Sequence, residues 1–459
     1  MKNRTNPFIV LLAVLFLLVS GLPASAQYID GGNQHTVFLS TKKEVWTMGK
    51  NEYGELGDST FARRIYPVKV KGLPPIDFVS RGYKHTLAVD HQGRVWTWGW
   101  NNYGQLGAEL PLDYNYPQLV DGVKDAIAVE GGHWHSLALL KDGRVMSWGH
   151  NFYGELGNGN REHTEVPTFV EGLKDIVKIA SVGYFSLALD KNGQLWSWGS
   201  NAYGNLGDGT TELKKVPVSV QGMTDVLDMA TGWHHAIAVK KDGSVWVWGD
   251  NPYGQLGTGD YEDLHLPTKL QNLPNAKKVA CGSWHTMMLD ENDRVWTWGR
   301  NENGMLGNNS EINSTLPVQL DLENIKDIGG GCFQSIAIDH NNDIFVWGEN
   351  WNGQLGIGNY RRQLTPTKAL LNFENEFQLS DEHLRNVENE TLMALGLEDV
   401  ILARQSNDNA GTDHAFTQQL GLVSNFVKYN KKFLLSFFLN IFLIWSLLNV
   451  RKKLVREVS

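Results

Sequence analysis

Apolar and polar residues alternate in short runs along most of this chain, and the runs are too brief for helices. Segments such as HTLAV (85–89), RVWTWG (94–99) and VPVSV (216–220) are separated by turn pairs like Asp142-Gly143 and Asn192-Gly193. That pattern predicts β-strands of about four to six residues joined by tight turns. Trp96 and Trp98 stand two apart, as do Trp196/Trp198, Trp246/Trp248 and Trp296/Trp298. Side chains two apart share a strand face, so each pair is placed to pack one sheet against the next.

The strands recur as a unit. An element centred on Trp-Gly has its glycine at 49, 99, 149, 199, 249, 299 and 348, a period of fifty residues. Each is followed by one motif, from NEYGELG (51–57) and NNYGQLG (101–107) to NENGMLG (301–307) and NWNGQLG (350–356), and then by a proline between Pro67 and Pro366. About four strands fit each unit, and a small sheet cannot bury both faces alone. Seven copies therefore predict an all-β fold, a seven-bladed β-propeller over 27–372. Gln27-Tyr28-Ile29-Asp30 fills the strand slot taken by DFVS (77–80) and KKVA (277–280) in internal units, whereas the seventh unit ends without one. The N-terminal strand is therefore expected to complete the last blade and zip the ring closed.

These residues carry a resemblance. W-x-W-G-x-N-x-Y-G-x-L-G, with G-x-x-H-T-x-A-L before it, resembles the regulator of chromosome condensation repeat, and the likeness covers 27–372. Kelch repeats share the period but not these motifs. The resemblance implies a propeller that serves as a platform for other proteins. The family includes guanine-nucleotide exchange factors, a secreted bacterial inhibitor of β-lactamases and the plant ultraviolet-B receptor. Gly232-Trp233-His234-His235-Ala236 lacks the arginine of the receptor's motif, which weighs against light sensing.

Composition narrows the classes. The chain has 459 residues, a formal net charge of −9, 48 Gly, 17 Trp and two Cys. Phosphate neutralisation needs surplus Lys and Arg, so a general nucleic-acid binder is excluded. Two cysteines leave at most one bridge, between Cys281 and Cys332, and no four-thiolate zinc site. Charge is uneven: Lys2 and Arg4 precede an apolar run from Phe8 to Val19 that ends in Ala24-Ser25-Ala26. That is a secretory signal peptide over 1–26, with the mature chain starting near Gln27 outside the cytoplasm. Residues 373–432 form a stalk or linker, helical in part at most, with ten acidic and two basic side chains within 373–420. The apolar run 433–450 reads as a single C-terminal transmembrane helix, followed by a basic cytoplasmic tail, 451–459. The expected location is the cell envelope or surface, with the propeller outside.

Function must come from the surface rather than the repeat. Asn51 and its equivalents sit where Asn supports a turn. His35, His85, His135, His235 and His285 recur once per unit, but Phe185 and Gln334 take the slot in units four and seven. That breaks any metal ring, and no carboxylate or nucleophile accompanies these histidines in a catalytic motif. No metal, cofactor or enzymatic activity is expected. The two residues between the unit's Gly and its His slot are freer, and six of seven units place an aromatic there: Tyr83, Trp134, Tyr184, Trp233, Trp284 and Phe333. With Lys84, His133 and His234 they are the candidate partner-binding residues, a ring around one mouth, since Trp and Tyr dominate interface hot spots. The loops between Leu-Gly and Pro, from STFARRIY to GNYRRQLT, are a second variable set. The reading is a membrane-tethered scaffold for a protein partner. The alternatives are a nucleotide-exchange regulator of a small GTPase, an inhibitor of a secreted enzyme, or a propeller hydrolase with carboxylates in its channel.

Overall fold

In the computed structural model, residues 29–108 and 112–372 are described, and their strands form seven four-stranded antiparallel sheets. The leader 1–26, the acidic stretch from 373 and the apolar run 433–450 lie outside the described residues. Blade two shows the pattern: β5 (Ile76–Arg81), β6 (His85–Asp90), β7 (Val95–Gly99) and β8 (Tyr114–Leu119) run from the channel outward. All six residues of β6 are buried, because a middle strand is covered on both faces by neighbouring blades.

Packing lies between blades, as the tryptophan spacing predicts. Trp198 of blade four is fully buried in a cluster with Leu137, Leu139 and Val145 of blade three, and Trp196 packs on the same cluster. The indole N–H of Trp198 donates to the Glu155 carbonyl at 2.7 Å, and that of Trp98 to the Glu55 carbonyl at 2.9 Å. Each such tryptophan buries a large apolar surface and meets its one polar requirement in the preceding blade.

The histidine slot is a second inter-blade tie. The Nε2 of His85 meets Ser136 Oγ at 3.0 Å, that of His135 meets Ser186 Oγ at 3.0 Å, and that of His285 meets Ser335 Oγ at 2.8 Å. Each ring lies on its unit's glycine: a Cβ built on Gly82 would come within 1.9 Å of His85 Cε1. Unit four, with Val182 at the glycine place, carries Phe185 in the slot, and Phe185 shares an apolar cluster with Ala236 of blade five. Asn51 is structural too: its Oδ1 accepts the Leu56 N–H at 2.9 Å, and its Nδ2 donates to the Thr60 and Ala62 carbonyls at 3.0 and 3.1 Å.

Ring closure differs from the expectation. β1 (Ile29–Gly31) pairs with β2 (His35–Leu39) of its own unit, beside β3 (Val45–Gly49) and β4 (Arg64–Lys69). The last blade is complete in itself, with β25 (Ile325–Gly330), β26 (Gln334–Asp339), β27 (Asp343–Gly348) and β28 (Gln363–Asn372). The inner strand precedes the three strands it joins, so repeat and blade are in phase and no strand is exchanged. Closure is lateral. Gln334 Nε2 donates to Thr36 Oγ1 at 3.1 Å, Thr36 Oγ1 to the Gln354 carbonyl at 2.7 Å, and the Cys332 N–H to the Gly32 carbonyl at 3.0 Å. Cys281 and Cys332 are both buried and unpaired.

Candidate functional site

In a four-stranded meander the loops after the first and third strands leave from the same end. Both variable sets picked out in the sequence therefore meet on one face of the ring. The two residues before each His slot take different places there. The first of them (Tyr83, His133, Trp233, with Gly183, Ser283 and Cys332 in equivalent positions) passes its backbone from blade to blade. Tyr83 N–H donates to the Gly132 carbonyl at 3.2 Å, His133 to Gly183 at 2.9 Å, and Trp233 to Ser283 at 3.0 Å. No equivalent bond from Gly183 to blade five is formed among the described residues. The second place (Lys84, Trp134, Tyr184, His234, Trp284, Phe333) uses its carbonyl to cap the residue after Trp-Gly, as when Trp100 N–H donates to the Lys84 carbonyl at 2.9 Å.

The side chains come together as a nearly continuous aromatic surface. Tyr83 stacks on His133 with centroids 4.0 Å apart, His133 on Tyr184 at 4.6 Å, and Trp233 lies 5.8 Å from Tyr83 and 5.3 Å from Trp284. Trp134 stacks on Tyr103 at 5.1 Å and meets Trp100 at 5.6 Å, and His234 lies 5.0 Å from Tyr203. Lys84 holds its ammonium 4.4 Å from the Tyr53 ring and 5.4 Å from Trp100. Phe333 stands apart: among the described residues its one ring contact is Arg300, 5.9 Å from the ring. The expected ring therefore exists on one face, with Phe333 at its margin.

Sequence reasoning passed over half of this surface. Tyr53, Tyr103, Tyr153, Tyr203 and Tyr253 belong to the repeated Asn-x-Tyr-Gly motif and read as structural, yet their rings floor the same face. Trp100 and His150 follow Trp-Gly, and nothing in their spacing signals that they join the ring. His163, from the second variable set, stacks on His150 at 4.6 Å.

Burial governs the electrostatics. It pushes His133 down to about 3, reinforced by His135 and His150, and pushes His234 down to about 4, so both rings are neutral. Desolvation raises Glu55 to about 7, and desolvation followed by Asp263 raises Asp250 to about 7. Several buried polar atoms of the face have no partner among the described residues: His133 Nδ1, Trp134 Nε1, Trp233 Nε1 and His234 Nδ1. Orphaned groups of this kind are rare in a finished interior and mark places where water or a ligand completes the bonding.

The inner strands line a channel of about 420 Å³ that contains Asp30, Ser80, Arg81, Glu130, Lys178 and Lys278. Arg81 Nε donates to Asp30 at 3.1 Å, and Lys178 and Lys278 pair with Asp228 and Asp327. Among the described residues Glu130 accepts one hydrogen bond, from the Ser80 hydroxyl at 3.1 Å, and burial with the nearby Asp30 charge raises it to about 8. Two carboxylates, Asp30 and Glu130, face the channel, and Asp30 is engaged in an ion pair. No group of three or more metal-ligating side chains forms among the described residues.

Comparison with solved structures gives the same architecture. Human WBSCR16 is 25% identical, with 72% of this chain and 93% of that one covered, at a TM-score of 0.65. Yeast RCC1 (Prp20), solved bound to Kap60, is 22% identical over 80% of this chain and 92% of its own, at a TM-score of 0.65. Prp20p from Saccharomyces cerevisiae, described with its binding to Gsp1p and histones, is 23% identical over 77% and 96%, at 0.64. No curated protein sequence matches. The family model for the RCC1-like domain matches residues 14–226 and 163–399, so this chain belongs to the RCC1-like domain family.

Proposed function

We propose that this chain is an exported, membrane-tethered scaffold that binds a protein partner through the aromatic face of its propeller. The observation that carries the reading is the gathering of Tyr83, His133, Trp134, Tyr184, Trp233 and Trp284 on one face, with buried indole and imidazole nitrogens left unbonded. Large rigid aromatics with unmet polar atoms suit a hot spot that a partner desolvates and completes. The yeast relative, solved bound to Kap60 and described with its binding to Gsp1p and histones, supports a platform role for this architecture. The leader, acidic stretch and apolar C-terminal run supply the tether in this reading, and no step of it requires catalysis.

The test is affinity capture on the tagged full chain from source cells, beside a variant with Trp134, Trp233 and Trp284 changed to Ala. Loss of a partner by a variant that still melts cooperatively supports the reading; equal capture by both removes the aromatic face from it. N-terminal sequencing addresses location. A chain beginning at Gln27 fits export, whereas a retained Met1 in the cytoplasm favours a GTPase regulator.

A further inference from the structure

The central channel is chemically lopsided. Strand register puts Asp30, Ser80 and Glu130 of blades one to three at one level of the inner strands, and Ala180, Ala230, Ala280 and Gly329 of blades four to seven at the same level. All seven line the channel. Three neighbouring blades thus carry polar groups there, while the other four carry nothing larger than a methyl. The space left is about 420 Å³, within the range of small-molecule sites.

The charges above and below this level are answered. Two residues earlier on the inner strands, Lys178 pairs with Asp228 and Lys278 with Asp327, and Asp228 also accepts the Val279 N–H at 2.9 Å. One residue later, buried Arg81 donates from Nε to Asp30 Oδ1 at 3.1 Å and from Nη2 to the Gly330 carbonyl at 2.8 Å. Asp30 therefore has its cation, and it accepts the Gly31 N–H at 2.9 Å as well. Glu130 forms no ion pair among the described residues. The Ser80 hydroxyl that it meets at 3.1 Å also lies 3.3 Å from Asp30 Oδ2. One hydroxyl donates one proton and cannot serve two carboxylates. Either Glu130 carries a proton of its own, in a line from Glu130 through Ser80 to Asp30 and Arg81, or a cation stands beside it.

We propose that the channel binds a small primary alkylammonium ion, its charge on Glu130 and its carbons along the arc of Ala180, Ala230, Ala280 and Gly329. An ammonium brings three donors to a place where two carboxyls share one hydroxyl proton. Its aliphatic chain buries against methyl and backbone carbons and leaves no polar group unmet. A bare divalent ion suits the place less, because it asks for six or more oxygen ligands and no group of three or more ligating side chains forms among the described residues. The inference goes beyond the protein-binding reading and does not depend on the aromatic face.

The test is calorimetry of the full chain with hexylammonium chloride, beside 1-hexanol and potassium chloride. Burial, and then the Asp30 charge, raise Glu130 to about 8, whereas an alkylammonium stays charged to higher pH, as a lysine side chain does. Below that pH, binding has to expel the Glu130 proton. The affinity should therefore rise about tenfold per pH unit between about pH 6 and 7.5 and level off above about 8.5. Near pH 6.5 about one proton should leave per ligand bound, read from the heats in two buffers of different ionisation enthalpy. Glu130→Gln keeps the size of the side chain and a bond to Ser80, so it should fold, which a cooperative urea melt checks. It should bind the probe at least about tenfold less tightly and release no proton. Equal affinity in a folded Glu130→Gln, or an affinity that does not change with pH, overturns the site. Binding of 1-hexanol as tight as that of hexylammonium overturns the role of the charge, and displacement of the probe by an equal concentration of potassium overturns the aliphatic half.

Discussion

Replacing two of the inter-blade histidines by glutamine should make the propeller more resistant to acid. His85 and His285 are fully buried, and burial pushes both down to about 3. Their folded value lies below the unfolded one, so the unfolded chain binds more protons and stability falls as pH drops below about 6.5. At about pH 5.5 each such histidine costs about 1.4 kcal/mol relative to neutral pH, a figure that holds wherever the folded value lies well below 5. Gln334 shows that the slot accepts a group that does not titrate, donating to Thr36 Oγ1 at 3.1 Å across the ring closure. The His85→Gln/His285→Gln double variant should therefore lose at most about 2 kcal/mol near pH 7.5, the scale of two neutral hydrogen bonds. Between about pH 7.5 and 5.5 its stability relative to the native chain should rise by about 3 kcal/mol. Urea unfolding of both proteins at the two pH values measures this directly. A stability difference that does not change with pH would refute it, because these histidines would then titrate in the fold as they do in the unfolded chain.

Blade four joins blade five without the histidine tie, and Thr231 Oγ1 is left there without a partner. The Val182→Gly/Phe185→His/Ala236→Ser combination should add about 1 kcal/mol by restoring one buried bond, whereas Phe185→His alone should destabilise by pressing the imidazole on the Val182 side chain; thermal melts decide. Glu130, raised to about 8 by burial and then by Asp30, destabilises the fold as pH climbs from its ordinary range toward that value. Glu130→Gln should gain stability relative to the native chain over that interval, and a gap that is constant with pH would count against the buried carboxyl. Changing Trp134, Trp233 and Trp284 to Ala should abolish partner capture while a cooperative melt remains.

Much of the architecture could be read because a closed ring repeats its demands. Five blades set an imidazole over a glycine, all seven staple a long loop with an asparagine and six fill an interface with a tryptophan, so the types of Gly82, Asn51 and Trp98 recur at intervals of about fifty residues. The structure adds a covariation inside the chain that the sequence reading had not drawn. Phe185 stands with Val182 and Ala236 because an imidazole fits neither beside Val182 nor opposite an alanine that offers no hydroxyl. Closure was misjudged because a strand slot has the same sequence whether its strand pairs with the unit before it or the unit after.

The sequence by itself determined the all-β class, the number of blades and the variable positions, since these follow from local alternation, turn residues and period. Tertiary structure alone decided that repeat and blade coincide and that ring closure is lateral. It also decided that the repeated tyrosines join the variable aromatics. Those outcomes depend on which side chains from units fifty residues apart reach the same point. Spacing along a chain does not hold that.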